Sequence, residues 1–368
     1  MTPKLWLDAP DLGELVGEPG PFVSVVLATE AEIDNASHRN QLRWRGMRDA
    51  LLEQGAGEDA LALVDPLVDD AHLQGQTLLV VANARGVHHR SHWSKLPFQE
   101  FARWEPLPSF GAIIERRQEA PAYVLVVADR SGADLVAVRH EAADIATDAG
   151  DQDPAARKVN AGGWSQRRYQ ERAENAWEHN AKDVAEVTTR LVQLVDARLV
   201  LLAGDVRALQ MLREEVPPGV AELVVEVDGT RAADGAPGAE PGDIEAQVAA
   251  VVAQDSRTMV EKLTEELGQD DRGCAGVSDT VAALTAAQVQ VLLVRDDPDD
   301  RRTAWFGSNP SVIGERPGDL ADLGVEGAQE GRLADVLIRA ALATGAGVRM
   351  LDRDGDVAGG VGAILRWS

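Results

Sequence analysis

The chain has 368 residues, 45% of them apolar, and a formal net charge of −25. That length suits two or three domains with cores of their own, and the apolar share excludes a disordered acidic chain. One cysteine, Cys274, excludes an internal disulfide and a cysteine-cluster metal site; no apolar run reaches a membrane span, and residues 1–20 lack the pattern of a signal peptide, so a reducing cytoplasm is the expected setting.

In chain order, residues 22–27 (FVSVVL) predict a buried strand. Ser37 is placed to cap a helix through Leu52, with Leu42, Met47 and Leu51 apolar and Arg39, Arg43 and Arg45 on its surface. A second helix covers 59–69. Residues 77–82 (TLLVVA) predict a strand, and the basic stretch 85–99 a loop and turn. Pro106, Pro108 and the polar run 115–119 mark a boundary near 118. Residues 123–128 (YVLVVA) and 134–138 (DLVAV) predict strands joined by a turn at Ser131-Gly132. A polar stretch, 144–154, leads to Gly162-Gly163.

From Ser165 to Val195 the spacing predicts a helix of ~45 Å. Ala173, Trp177, Val184, Val187, Leu191 and Leu194 recur at intervals that make one apolar face. A strand at 199–202, a helix at 205–215 and a strand at 222–227 continue an α/β alternation. Residues 229–242 read as a Gly/Ala/Pro-rich loop. Asp243 is placed to cap a second long helix through Leu267, ended by Gly268, with Ile244, Val248, Val251, Met259 and Leu263 on one face. Beyond Gly273, Ser278 is placed to cap a short helix. A buried strand at 289–294 (VQVLLV), a helix at 332–344 and closing strands at 348–351 and 364–367 follow. The expected fold is α/β with mixed sheets in three domains: 1–118, 119–270 and 271–368.

Charge is unevenly spread along this layout. Residues 35–48, 85–99 and 157–169 hold eleven cations and no acid, so the rest of the chain has 25 cations against 61 acids. Each of these islands carries one tryptophan (Trp44, Trp93, Trp164), and four of the seven histidines lie in them: His38, His88, His89 and His92. Cations interleaved with flat rings are what phosphate contact and base stacking require, although cationic helix faces and core tryptophans give the same pattern. The third island is the most distinctive. Gly162 and Gly163 allow close backbone approach to a ligand, and Arg157, Lys158, Arg167 and Arg168 surround them. A basic tip on an acidic protein points to a polyanion, with RNA backbone the expected one.

These residues resemble the archaeal and eukaryotic class-I peptide release factor superfamily, in particular a bacterial branch with mycobacterial release-factor-like proteins and ribosome-hibernation factors. Gly162-Gly163 with Gln166, Arg172 and the long helix stand where that family has its Gly-Gly-Gln loop. Residues 199–205 (LVLLAGD) resemble its following strand and turn; 277–294 and 359–367 (GGVGAILRW) resemble the opening and close of its third domain. The likeness covers 119–368 well and 1–118 poorly. It implies a three-domain architecture with the long helix after the Gly-Gly loop. It also implies a ribosomal A-site ligand whose middle-domain tip faces the peptidyl-transferase centre and whose first domain faces the decoding centre. The partner sets it implies are ribosomal RNA and a delivery GTPase such as elongation factor Tu, with no DNA and no membrane.

The sequence departs from that family at its catalytic loop. Trp164 and Ser165 separate Gln166 from the glycines, and no Asn-Ile-Lys-Ser motif is present, so stop-codon reading is not expected. Placing a water against an ester tolerates little error, and a 1 Å shift costs ~100-fold. A non-catalytic hibernation or stress factor is the first expectation. Peptidyl-tRNA hydrolysis or tRNA cleavage through Gln166 is the alternative, and an interaction protein unrelated to ribosomes a third. Besides the tip residues, Arg43, Arg45, Arg90 and Lys95 are the candidate RNA contacts. No cofactor or metal is expected. His88, His89 and His92 have cationic neighbours, and 352–356 (DRDGD) reads as a hairpin turn, since its glycine comes too early for a calcium loop.

Overall fold

The computed structural model describes residues 12–29, 36–69, 71, 75–93, 95–129, 132–138, 145–146, 169–228, 241–269, 272–352 and 357–367. Up to the middle of the chain the elements are α1 (Gly13–Gly17), β1 (Phe22–Ala28), α2 (Ala36–Glu53), α3 (Glu58–Asp69), β2 (Thr77–Asn83), β3 (Gly86–Trp93), β4 (Phe101–Glu105), α4 (Phe110–Glu119), β5 (Tyr123–Asp129), β6 (Gly132–Val138), β7 (Ile145–Ala146) and α5 (Tyr169–Val195). Then come β8 (Leu199–Gly204), α6 (Val206–Glu215), α7 (Pro218–Ala221), β9 (Val224–Glu226), α8 (Pro241–Gly268), β10 (Gly273–Ala275), α9 (Val277–Thr285), β11 (Val289–Val294), β12 (Thr303–Phe306), β13 (Ile313–Gly314), α10 (Pro317–Asp322), β14 (Gln329–Arg332), α11 (Leu333–Ala343), β15 (Gly347–Met350) and β16 (Val361–Leu365). They form two compact units. One joins Trp6–Gln118 to Ser256–Ser368; the other is Glu119–Asp255.

In the first unit an antiparallel sheet runs β3-β2-β1-β4. Every residue of β1 is buried, because alternate side chains enter two cores. Val23, Val25 and Leu27 pack with Trp44 and Leu51 of α2 and Leu61 and Val64 of α3. Phe22 and Val26 face the other way, into a core with Phe110, Ile113 and Ile114 of α4, Leu292 and Val294 of β11 and Leu337 and Ile338 of α11. The segments read as separate first and third domains therefore share one core. Each of those fully buried large side chains contributes about 1.5–3 kcal/mol. A second sheet, β10-β16-β11-β15, is mixed, with β11 and β15 parallel. The edge of β15 is closed by a side chain from α4: Gln118 donates Nε2–H to the Val348 carbonyl at 2.7 Å and accepts from the Met350 N–H at 2.9 Å.

The second unit has the sheet β7-β6-β5-β8-β9, with β5, β8 and β9 parallel. Helices α5 and α6 cover one face through Val184, Leu191, Leu209 and Leu212. Ile244 and Val248 of α8 cover the other. The later part of α8, from Ser256, belongs to the first unit, where Met259 and Leu263 pack with Val291 and Leu293 of β11 and Ile364 of β16.

Several local expectations change. β3 is a strand and not a loop, and α4 occupies what was read as a polar boundary. Leu194 is 52% exposed, and Val195 is the buried residue at that turn of α5. Gly276, at φ 91°, stands at the N-cap of α9, and Ser278 lies inside the helix.

Candidate nucleic-acid interface

The glycine tip, comprising Arg157, Lys158, Gly162, Gly163, Trp164, Ser165, Gln166, Arg167 and Arg168, lies outside the described residues, as do the side chains of Ala173 and Trp177. The other two islands lie on the first sheet and its helices.

The first island forms most of α2. Trp44 is 6% exposed, and its indole N–H donates to Asp65 Oδ1 at 2.7 Å. Arg48 pairs with the same carboxylate at 3.2 Å and with Glu58. These two residues tie α2 to α3 and are not available to RNA. Arg43 is half-buried and donates to the Ala28 carbonyl at 3.2 Å, at the end of β1. Arg39 and Arg45 are exposed.

The second island forms β3 and the connection after it. Trp93 is buried, with the Arg116 guanidinium 4.8 Å from its ring centre, so it too belongs to the core. Glu18 gathers the start of the hairpin: it accepts from Asn83 at 3.0 Å and pairs with Arg85 at 3.2 Å, while His88 bonds Asn83 at 2.9 Å. His89 bonds Ser91 at 3.0 Å. His92 accepts from Arg90 Nε–H at 3.1 Å, and burial together with the Arg90 charge brings its pKa down to about 4. His92 is thus neutral at neutral pH and structural. Among the described residues, no group of three or more His, Cys, Asp or Glu is placed to hold a metal ion. Arg90 and Lys95 are exposed.

The register brings part of this set together. Ala28 pairs with Thr77, and Thr77 pairs with Trp93. Thr77 Oγ1–H donates to the Lys95 carbonyl at 2.7 Å. Arg43, on Ala28, and Lys95 therefore share one end of the sheet. Arg90 stands opposite Val80, three residues back along β3, or ~10 Å away. Two features escaped sequence reading. Leu96 and Phe98, beside Lys95, are 61% and 77% exposed. In the same unit, half-buried Arg103, Glu105, Asp296 and Arg332 form an ionic cluster around the fully buried Asp335. Arg332 reaches Asp296 at 2.6 Å and Asp335 at 3.1 Å. The cluster draws on three separate stretches of the chain, 103–105, 296 and 332–335, which spacing along the sequence does not bring together.

Residues 122–269 match the family described as bacterial archaeo-eukaryotic release factor family 2. Two uncharacterised proteins of Mycobacterium tuberculosis are each 25% identical over 360 residues, covering 96% of this chain and 95% of theirs. Similar solved structures include an archaeal translation termination factor, at 13% identity, 98% and 97% coverage and a TM-score of 0.26. Saccharomyces cerevisiae Dom34, a translation termination-like factor, is 10% identical over 74% of this chain and 75% of its own, with a TM-score of 0.42. It is the middle segment of the chain that resembles this family.

Proposed function

We propose that this protein occupies the ribosomal A site as a non-catalytic hibernation or stress factor. The observation that carries the reading is the release-factor match over 122–269 combined with a loop in which Trp164 and Ser165 displace Gln166 from the glycines. The match suggests the ribosomal site. The displacement argues against placing a water on the peptidyl-tRNA ester. Exposed Arg45, Arg90 and Lys95 on an otherwise acidic body supply phosphate contacts, and the basic residues around Gly162-Gly163 supply the rest. Arg43 supports the end of β1, so it is a weaker candidate for RNA contact than the other three. A delivery GTPase belongs to the same reading.

Co-sedimentation with ribosomes from stationary cells tests it. Binding is expected to fall steeply with salt, and the combined change Arg45→Glu, Arg90→Glu and Lys95→Glu is expected to abolish it without loss of fold. A parallel assay measures peptide release from stalled complexes with an empty A site. Native protein is expected to release little peptide. Rapid release that Gln166→Ala abolishes would establish the hydrolase instead, since loss of such a positioning group costs roughly 100-fold or more.

A further inference from the structure

We propose that the connection between β3 and β4 is a preformed RNA-stacking tip, in which Phe98, flanked by Leu96 and Pro97, takes an unpaired base while Lys95 and Arg90 meet the neighbouring phosphates. The inference rests on the A-site reading and deepens it: the tryptophans of the two described islands are core residues, and Phe98 provides the exposed ring that they do not.

The tip is held on a firm base. Its start is fixed by Thr77 Oγ1–H on the Lys95 carbonyl at 2.7 Å, just beyond buried Trp93. Its end is fixed by Glu100, whose Oε1 accepts from the Ala28 N–H at 2.8 Å. That bond also turns the nearest carboxylate toward the backbone of β1. Pro97 restricts the backbone between the two apolar side chains. Phe98 is nonetheless 77% exposed, and among the described phenylalanines and tryptophans only Trp367, at 50%, is also exposed. An exposed side chain on a fixed backbone loses little conformational freedom when it binds.

The composition of the tip selects the occupant. Residues 85–99 contain no acid in a chain of net charge −25, so the partner that suits them is anionic. Two apolar side chains are too small a patch for a protein interface, which buries about 1,000 Å² or more. A single base needs only one flat contact and brings its own phosphates. An acidic protein segment is the competing occupant, and the test separates the two.

The experiment uses the full-length protein. Phe98→Ala and Phe98→Trp are compared with native protein in ribosome co-sedimentation across a salt series, and a photocrosslinking phenylalanine analogue is placed at 98. Phe98→Ala is expected to weaken binding on the order of 10-fold with the salt slope unchanged, and Phe98→Trp to retain it. Lys95→Gln is expected to lower the slope by about one phosphate. The crosslink is expected on ribosomal RNA. Native affinity in Phe98→Ala, or a crosslink confined to ribosomal protein, overturns the tip and leaves the A-site reading standing. Failure of the native protein to co-sediment overturns both.

Discussion

Asp335 is fully buried, and its pKa is pushed up to about 7 by burial and by the charge of Asp296, against the pull of Arg332. Its two oxygens are engaged: the Gly111 N–H donates to one at 3.2 Å, and Arg332 approaches the other at 3.1 Å. Glu105, Arg103 and Asp296 complete the surroundings, and burial also raises the pKa of Glu105. A carboxyl with a raised folded-state pKa binds a proton that the unfolded chain releases near pH 4. Its contribution to stability is full below that point and is lost as pH rises through about 7. Asp335→Asn, which cannot ionise, is therefore expected to gain in Tm relative to native protein as pH goes from about 4 to about 7. Calorimetry at several pH values measures that difference, and a difference flat across the window would refute the assignment. Beyond the Arg332–Asp335 pair at i,i+3, this cluster could not be read from the sequence. The two bonded positions Gly111 and Asp335 are 224 residues apart, and isolated Asp and Arg residues resemble any solvated surface.

At the scale of elements, most of the periodic signal was legible. The strands at 22–28, 77–83 and 289–294 and the helices at 36–53 and 206–215 form where apolar spacing placed them, although α2 begins at Ala36, so Ser37 lies inside that helix and does not cap it. Asp205 accepts from the N–H groups of Arg207 and Ala208 at 3.1 and 3.2 Å, as an N-cap does. β3 was missed because its sequence, GVHHRSHW, hides its inward positions behind histidine and serine, which bury here by bonding to one another and to Arg90. α4 was missed although Phe110, Ile113 and Ile114 carry a helical spacing, because Pro106, Pro108 and the following charges outweighed three apolar residues. Gly204, where β8 turns into α6, has φ 126°, and a Cβ there would lie 1.9 Å from the Ala128 carbonyl oxygen. Gly204→Ala is expected to cost on the order of 3 kcal/mol, because neither the backbone angle nor the neighbouring carbonyl can yield cheaply. Chemical denaturation reads this directly, and a change below ~0.5 kcal/mol would contradict the strain argument.

For the whole molecule, the shared core makes a further prediction. Residues 1–118 expressed alone would uncover Phe110, Ile113, Ile114 and Leu79, all fully buried against the C-terminal elements. That fragment is expected to aggregate, and co-expression with 256–368 to rescue it. A soluble fragment with sharp amide dispersion in nuclear magnetic resonance would show instead that the α2–α3 core is sufficient. The sequence by itself determined the α/β class, the long helices, the uneven charge and the release-factor likeness, since each is written in local spacing or in contiguous motifs. Only the tertiary structure decided which cations are committed to the fold, as Arg48 is to Asp65 and Glu58. It alone showed that Trp44 and Trp93 are buried, that Phe98 is exposed, and that the two ends of the chain share a core. Those outcomes depend on which distant surfaces meet, and a pattern of period 2 or 3.6 fixes the face a residue occupies without fixing what covers it.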